Sequence, residues 1–296
     1  MTKEEAILLG PHRSLVGVYT SAAAHGLVQQ GARPAVVLFN AGLVHHVGPH
    51  RLYVDLARAL AARGVAVLRV DFSGIGDSAP RPDHLPAEEL AVREPKEILE
   101  ELSRRGHDAF ILCGICSGAK HALLAVRDDR VKGLILINQA ATTRDEQVDA
   151  HLSAQYYLRR SLWSPRAWRN LLTGKVDYLA LFGTMIAAAR RMLQGGRGAP
   201  KPTLLKMFLR ELDPALAKAI PVLVVFSDRH ADFMKLLGED ARQLQRYSGL
   251  RMEMHPAVDH LFTSLDAKAV LIRQVCQWVE TQAERLSVDE PAAMRA

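Results

Sequence analysis

A cysteine with a glycine two residues away on either side, Gly114-Ile115-Cys116-Ser117-Gly118, is the group in this chain best placed for chemistry. An apolar run, Ala109 to Cys113, leads into it, and a helix-forming segment follows to Val126. That order, strand then tight turn then helix, is the layout of a nucleophile elbow, which thrusts one side chain out of the turn. The nucleophile of such a turn has a strained backbone, so its neighbours at two before and two after must be small. Gly114 and Gly118 meet that demand around Cys116, whereas Ile115 and Ala119 meet it poorly around Ser117. The start of the helix presents unpaired N–H groups and the positive end of a dipole, which favours a thiolate at Cys116. The Ser117 N–H is one expected donor to an oxyanion. Two other readings compete. A cysteine is often a small buried hydrophobe, and Cys113 with Cys116 forms a C-x-x-C pair of the kind used in thiol–disulfide exchange.

A thiol nucleophile needs a base from another loop on the same sheet edge. His260, in Asp259-His260-Leu261-Phe262, follows the last strand pattern and lies late in the chain, as the order nucleophile, acid, histidine requires. The orienting acid is sought in Ser227-Asp228-Arg229-His230-Ala231-Asp232. Asp228 and Asp232 are the candidates, with Asp232 preferred, and Asn138 is an alternative partner for the imidazole. A Cys–His pair depends less on a carboxylate than a Ser–His pair, because thiols ionise more readily. The second oxyanion donor is expected from Gly42 or Leu43, after the strand at 34–40. His45, His46 and His50 share that loop. No Cys or carboxylate joins them at ligand spacing along the chain, so no metal is expected and His45 and His46 are placed at a pocket mouth.

The elements that must position these residues alternate regularly. Strands are expected at Leu15 to Thr20, Pro34 to Asn40, Val65 to Val70, the elbow strand, Val131 to Ile137, Pro221 to Phe226 and Arg251 to His255. Helices are expected at about 51–63, over most of 87–105 with Pro95 breaking or starting the helix, after the elbow, and at 265–286. Continuous apolar strands separated by helices signal a buried, largely parallel sheet, hence an α/β fold. Between 140 and 216 the strand pattern stops, and helical stretches carry Trp163, Trp168 and several tyrosines. The expected organisation is therefore a core of 1–139 and 217–290, an inserted helical cap at 140–216, and a tail at 291–296.

Composition narrows the class. The 296 residues are 49% hydrophobic, enough for a substantial core. Three cysteines make no disulfide framework, and no apolar run has the length of a membrane span. No signal-peptide pattern is present near Met1, so a cytoplasmic protein is expected. The net charge of +6 is unevenly placed: residues 151–215 hold eleven Lys or Arg against three acids. A basic segment of that kind suits acidic carrier proteins or the phosphates of coenzyme A. It shows no nucleic-acid recognition motif.

The motifs Asn40-Ala41-Gly42, Gly48-Pro49-His50-Arg51, Leu56-Ala57-Arg58, Leu68-Arg69-Val70-Asp71, Gly74-Ile75-Gly76-Asp77-Ser78 and Gly114 to Ala119 together resemble the α/β-hydrolase superfamily. Within it the chain is similar to serine-aminopeptidase-like and exosortase-associated hydrolases. The Asp71 to Ser78 segment looks like a turn typical of the superfamily and is read as structural. The resemblance implies an acid near position 230, where this chain has His230. A cysteine in the elbow is the choice of dienelactone hydrolases and some thioesterases. The resemblance and the residues together lead to an expected acyl hydrolase or acyltransferase without a cofactor. Cys116 would form a thioester with an acyl group from a small molecule, a carrier protein or coenzyme A, with Trp163 and Trp168 against the acyl chain. The alternative is a hydrolase-like protein that binds a small molecule or partner and does not catalyse.

Overall fold

A computed structural model describes residues 2–23, 34–139, 204–227, 244 and 246–288. Eight strands form one sheet: β1 (Glu4–Leu9), β2 (Leu15–Thr20), β3 (Pro34–Phe39), β4 (Ala66–Val70), β5 (Ala109–Ile115), β6 (Val131–Ile137), β7 (Val222–Ser227) and β8 (Leu250–His255). Their spatial order is β1-β2-β4-β3-β5-β6-β7-β8. β1 and β2 are antiparallel, β2 runs antiparallel to β4, and every later pairing is parallel. The expected α/β architecture is thus the observed one. β1 is an addition to it. Its sequence, Glu-Glu-Ala-Ile-Leu-Leu, opens with two acids, which hides the strand from a search for apolar runs. Only Ile7 and Leu9 turn inward, as an edge strand with one wet face requires.

The central strands β3, β5 and β7 are buried on both faces, which is why they read as unbroken apolar runs. Helix α1 (Leu52–Ala61) lays Leu52, Tyr53, Leu56, Ala57 and Leu60 on the sheet, at the spacing of one helical face. Helix α5 (Leu265–Val288) adds Leu271, Val275, Cys276 and Val279 to the same core. Helix α3 (Ser117–Ala125) follows β5 directly, and α4 (Leu204–Ala217) precedes β7. The chain divides into two units, Met1–Ala140 with Phe208–Ala296, and Ala141–Met207. The expected cap lies mostly outside the described residues. Among those described, no helix is long and apolar enough to cross a membrane.

Helix α2 (Ala87–Arg104) runs through Pro95 instead of stopping or starting there. Proline cannot donate to the carbonyl four residues back, here that of Ala91. The His121 ring, on α3, lies near that Ala91 backbone. Burial disfavours the charged form of the ring. His121 also packs on Phe72, with ring centroids 4.4 Å apart. His121→Ala should cost about 1–3 kcal/mol in urea denaturation.

Candidate active site

Parallel register brings the carboxyl ends of β3, β5, β6, β7 and β8 to one edge: Phe39 pairs with Gly114, Ile115 with Ile137, and Ser227 with His255. Ligands of open α/β sheets bind outside such an edge. Cys116 is the first residue past β5. Its backbone has φ 56° and ψ −116°, a conformation that costs a non-glycine residue about 1–3 kcal/mol. The surroundings enforce it. A Cβ on Gly114 would lie 2.1 Å from the Gly118 carbonyl carbon, and one on Gly118 would lie 2.5 Å from the Asn40 oxygen. Cys116 N–H donates to Ile137 O at 2.9 Å. Beneath the turn, the buried Tyr53 hydroxyl donates to Phe39 O at 2.9 Å and accepts from Ile115 N–H at 3.1 Å. Nothing in the sequence singles out Tyr53 from the other residues on the buried face of α1.

The Cys116 side chain is half-buried at the N-terminus of α3. Cys113 differs sharply. It is fully buried in β5, and burial pushes its thiol up to about 12. Cys276, buried on α5, is pushed up to about 11 by the same cause. A thiol held neutral in hydrocarbon is a poor partner for disulfide exchange, so the C-x-x-C reading loses its second sulfur.

Gly42 and Ser117 do come together, but not as two open donors. The Gly42 N–H donates to Ser117 Oγ at 2.7 Å. An oxyanion using Gly42 therefore needs the serine hydroxyl to rotate away. Leu43 is 88% exposed.

His260 lies in the loop between β8 and α5. The loop is pinned from within by Asp259, whose carboxylate accepts from Leu261 N–H, Thr263 N–H and the Thr263 hydroxyl. Phe262 is fully buried beside it, at φ 53°. From without, the Asn138 side chain donates to His260 O at 2.7 Å and accepts from Ser227 N–H at 2.7 Å. Asn138 thus holds the backbone of the histidine loop, where the sequence suggested a bond to the imidazole. The residue before it, Ile137, accepts the Cys116 N–H, so two hydrogen bonds link the elbow to the loop of His260. Asp228, Asp232, Trp163 and Trp168 lie outside the described residues.

The histidines of the β3 loop behave differently from expectation. His46 is 5% exposed, and its ring is directed at Asp71 rather than at a pocket mouth. Folding also supplies the carboxylates that chain spacing does not reveal. Asp71, fully buried at the end of β4, accepts from Asn40 Nδ2, His46 N–H, His46 Nδ1 and Asp77 N–H at 2.6–3.1 Å. Burial opposes its charge, but those donors outweigh burial and hold the carboxyl below its ordinary value. His45 Nε2 lies 3.0 Å from Asp77 Oδ2. The ligating atoms of His45, His46, Asp71 and Asp77 all fall within 4.8 Å of one another. The structural reading of the Asp71 turn also holds, since the Ser78 hydroxyl donates to Asp71 O and accepts from Val16 N–H.

An eight-stranded, mostly parallel sheet with a strained elbow after β5 defines an α/β-hydrolase. Sequence comparison makes this specific: residues 31–287 match the Hydrolase_4 family, serine aminopeptidase S33, and the chain belongs to that family. No curated protein matches it in sequence. Among solved structures it is similar in fold to proline iminopeptidase from Mycobacterium smegmatis (18% identity, TM-score 0.53, covering 95% of this chain and 98% of that one). It is also similar to dienelactone hydrolase from Anabaena variabilis (14%, 0.52, 95% and 98%) and to a serine hydrolase homologue from Coxiella burnetii (15%, 0.52, 93% and 98%).

Three outcomes test this geometry. Gly114→Ala meets backbone and should cost more than about 4 kcal/mol or prevent folding. Gly74→Ala, at φ 74° with nothing within 4 Å of its Cβ, should cost only about 1–2 kcal/mol by urea denaturation. Brief iodoacetamide treatment of the native chain near pH 8 should label Cys116 and spare Cys113 and Cys276, read by peptide mass mapping.

Proposed function

We propose that the protein is a cysteine-nucleophile acyl hydrolase or acyltransferase acting on an activated acyl ester or thioester. The observation that carries this reading is the conformation of Cys116, a non-glycine residue held at φ 56° and ψ −116° at the start of a helix. Such strain persists only where the surroundings over-determine it, and it clusters at active sites. The fold similarity to a dienelactone hydrolase bears on the scaffold alone.

In the proposed cycle, His260 takes the thiol proton as Cys116 Sγ attacks the acyl carbon. The carbonyl oxygen gains the electron pair and is held by the Ser117 N–H, with Gly42 or Leu43 as second donor. The tetrahedral centre collapses, the leaving group departs with the proton from His260, and a Cys116 thioester remains. Water or an acceptor then loses its proton to His260 and attacks the thioester, which releases the acyl product and restores the thiol. A cysteine thioester retains the acyl energy of a thioester donor, so the sulfur suits transfer to an amine, alcohol or thiol as well as to water. The basic 151–215 segment supports an acidic acyl carrier protein or coenzyme A as the donor. Asp232 or Asp228 is the proposed orienting acid, and Trp163 and Trp168 the proposed acyl-binding residues. His45, with a half-exposed ring, stays a proposed contact near the mouth of the site.

The bond from Gly42 N–H to Ser117 Oγ favours a second reading, in which the site binds an acyl-like ligand and does not turn it over. Intact mass after incubation with acyl thioesters separates the two. The catalytic reading predicts an acyl adduct on Cys116, no adduct in Cys116→Ala, and a fall in kcat/KM of at least about a thousandfold in that variant. Full activity in Cys116→Ala without any adduct in the parent chain would sink the covalent route.

A further inference from the structure

Four side chains, His45, His46, Asp71 and Asp77, combine in a way that goes beyond the substrate contact proposed for His45. Two come from the loop after β3 and two from the loop after β4. The His45 and His46 rings stack with centroids 3.8 Å apart and an interplanar angle of 35°. Stacked in this way, both rings present a nitrogen to one carboxylate oxygen: Asp71 Oδ2 lies 2.7 Å from His46 Nδ1 and 3.8 Å from His45 Nε2. Asp77 Oδ2 closes the group at 3.0 Å from His45 Nε2.

We propose that these four residues bind a divalent transition-metal cation, with zinc as the best-suited ion. The distances carry this assignment. Two ligands at about 2.0–2.2 Å from a tetrahedral zinc stand roughly 3.3–3.6 Å apart. Three observed separations, 2.7, 3.0 and 3.8 Å, bracket that value and no pair of ligand atoms is more than 4.8 Å apart, so side-chain rotations can close the group on one ion. The donor chemistry agrees. Two imidazole nitrogens with two carboxylate oxygens suit zinc and its first-row neighbours, whereas magnesium and calcium take oxygen shells. Charge agrees as well, because the two carboxylate ligands supply two negative charges for a dication to cancel. The outer shell is already built: Asn40 Nδ2 and His46 N–H fix Asp71 through its other oxygen, Oδ1, and Asp77 N–H reaches Oδ2, the oxygen directed into the group. Such partners orient ligands and raise affinity. Entry is open from one side, where the side chains of His45 and Asp77 are 37% and 60% exposed. The bound ion takes the place of the protons between ring nitrogen and carboxylate, which move to the other nitrogen of each ring, and it ties the β3 loop to the β4 loop. Gly42 lies in the first of these loops, so the ion stiffens the backbone that carries one oxyanion donor. The site stands independently of the chemistry at Cys116.

Calorimetric titration of the chelator-treated full chain with ZnCl2 tests it. The expected result is one zinc per chain with micromolar or tighter affinity. His45→Ala and Asp77→Asn, both at accessible positions that spare the buried Asp71, should each weaken binding by at least about 10- to 100-fold. His12→Ala, a surface histidine paired with Asp83, should leave binding unchanged, as should Cys116→Ala. Cobalt in place of zinc should give the visible d–d absorption of a four-coordinate site, lost in the same two variants. The absence of saturable one-to-one binding, or equal binding in His45→Ala and Asp77→Asn, would overturn the proposal.

Discussion

The architecture of the site depends on a backbone-to-backbone contact that only glycine permits. Gly118, at the start of α3, lies so near the end of β3 that a methyl group would sit 2.5 Å from Asn40 O and 2.8 Å from Phe39 O. Gly114, on β5, lies equally close to Gly118. These two approaches compress strand, turn and helix into one knot and press the knot onto the neighbouring strand. Once α3 begins there, Ser117 reaches Gly42, Tyr53 spans Phe39 and Ile115, and Cys116 has no relaxed conformation left to adopt. The strain at Cys116 is therefore a consequence of packing, stored in the turn and offset by the buried sheet beneath it.

Two polar residues extend that order outward across the sheet edge. Asn138, fully buried at the end of β6, joins the ends of β6 and β7 to the histidine loop through both ends of one amide. Asp71 does the same between the β3 and β4 loops, with four donors on one carboxylate. Each is a buried polar group with its partners supplied, so each fixes geometry instead of costing stability. The loops at the functional edge are thus cross-linked to one another by side chains, which loops on a bare sheet edge would not be.

Much of this was legible in the sequence, and the reasons are local. The elbow announces itself because its steric demand falls on residue types, two glycines at fixed distance. The buried strands announce themselves because burial on both faces leaves no polar residue to interrupt the run. β1 was not legible, since half of an edge strand faces water and its acids mask the pattern. The continuity of α2 through Pro95 was not legible either, because a proline inside a helix is tolerated through tertiary packing, which chain neighbours do not reveal. His46 and Asp71 illustrate the same limit. Histidines separated from their carboxylates by twenty-five residues carry no spacing signal, and the parallel pairing of β3 with β4 is what joins them. The acid of the proposed triad and the aromatic residues assigned to the acyl chain fall outside the described residues, and for them the sequence reading stands alone.

The manner in which the elbow is fastened bears on what could occupy its tip. Main-chain groups, the Tyr53 and Ser117 hydroxyls and the two glycines fasten it, while the side chain of Cys116 makes no capping bond of its own. The tip is thereby coupled to the frame by packing against the core and not by a capping hydrogen bond. Exchanging sulfur for oxygen there alters reactivity, acidity and bond length to the reacting carbon, yet asks nothing new of the polypeptide around it. A fold built in this way can trade one kind of reaction for another at a single atom, without surrendering stability to do so.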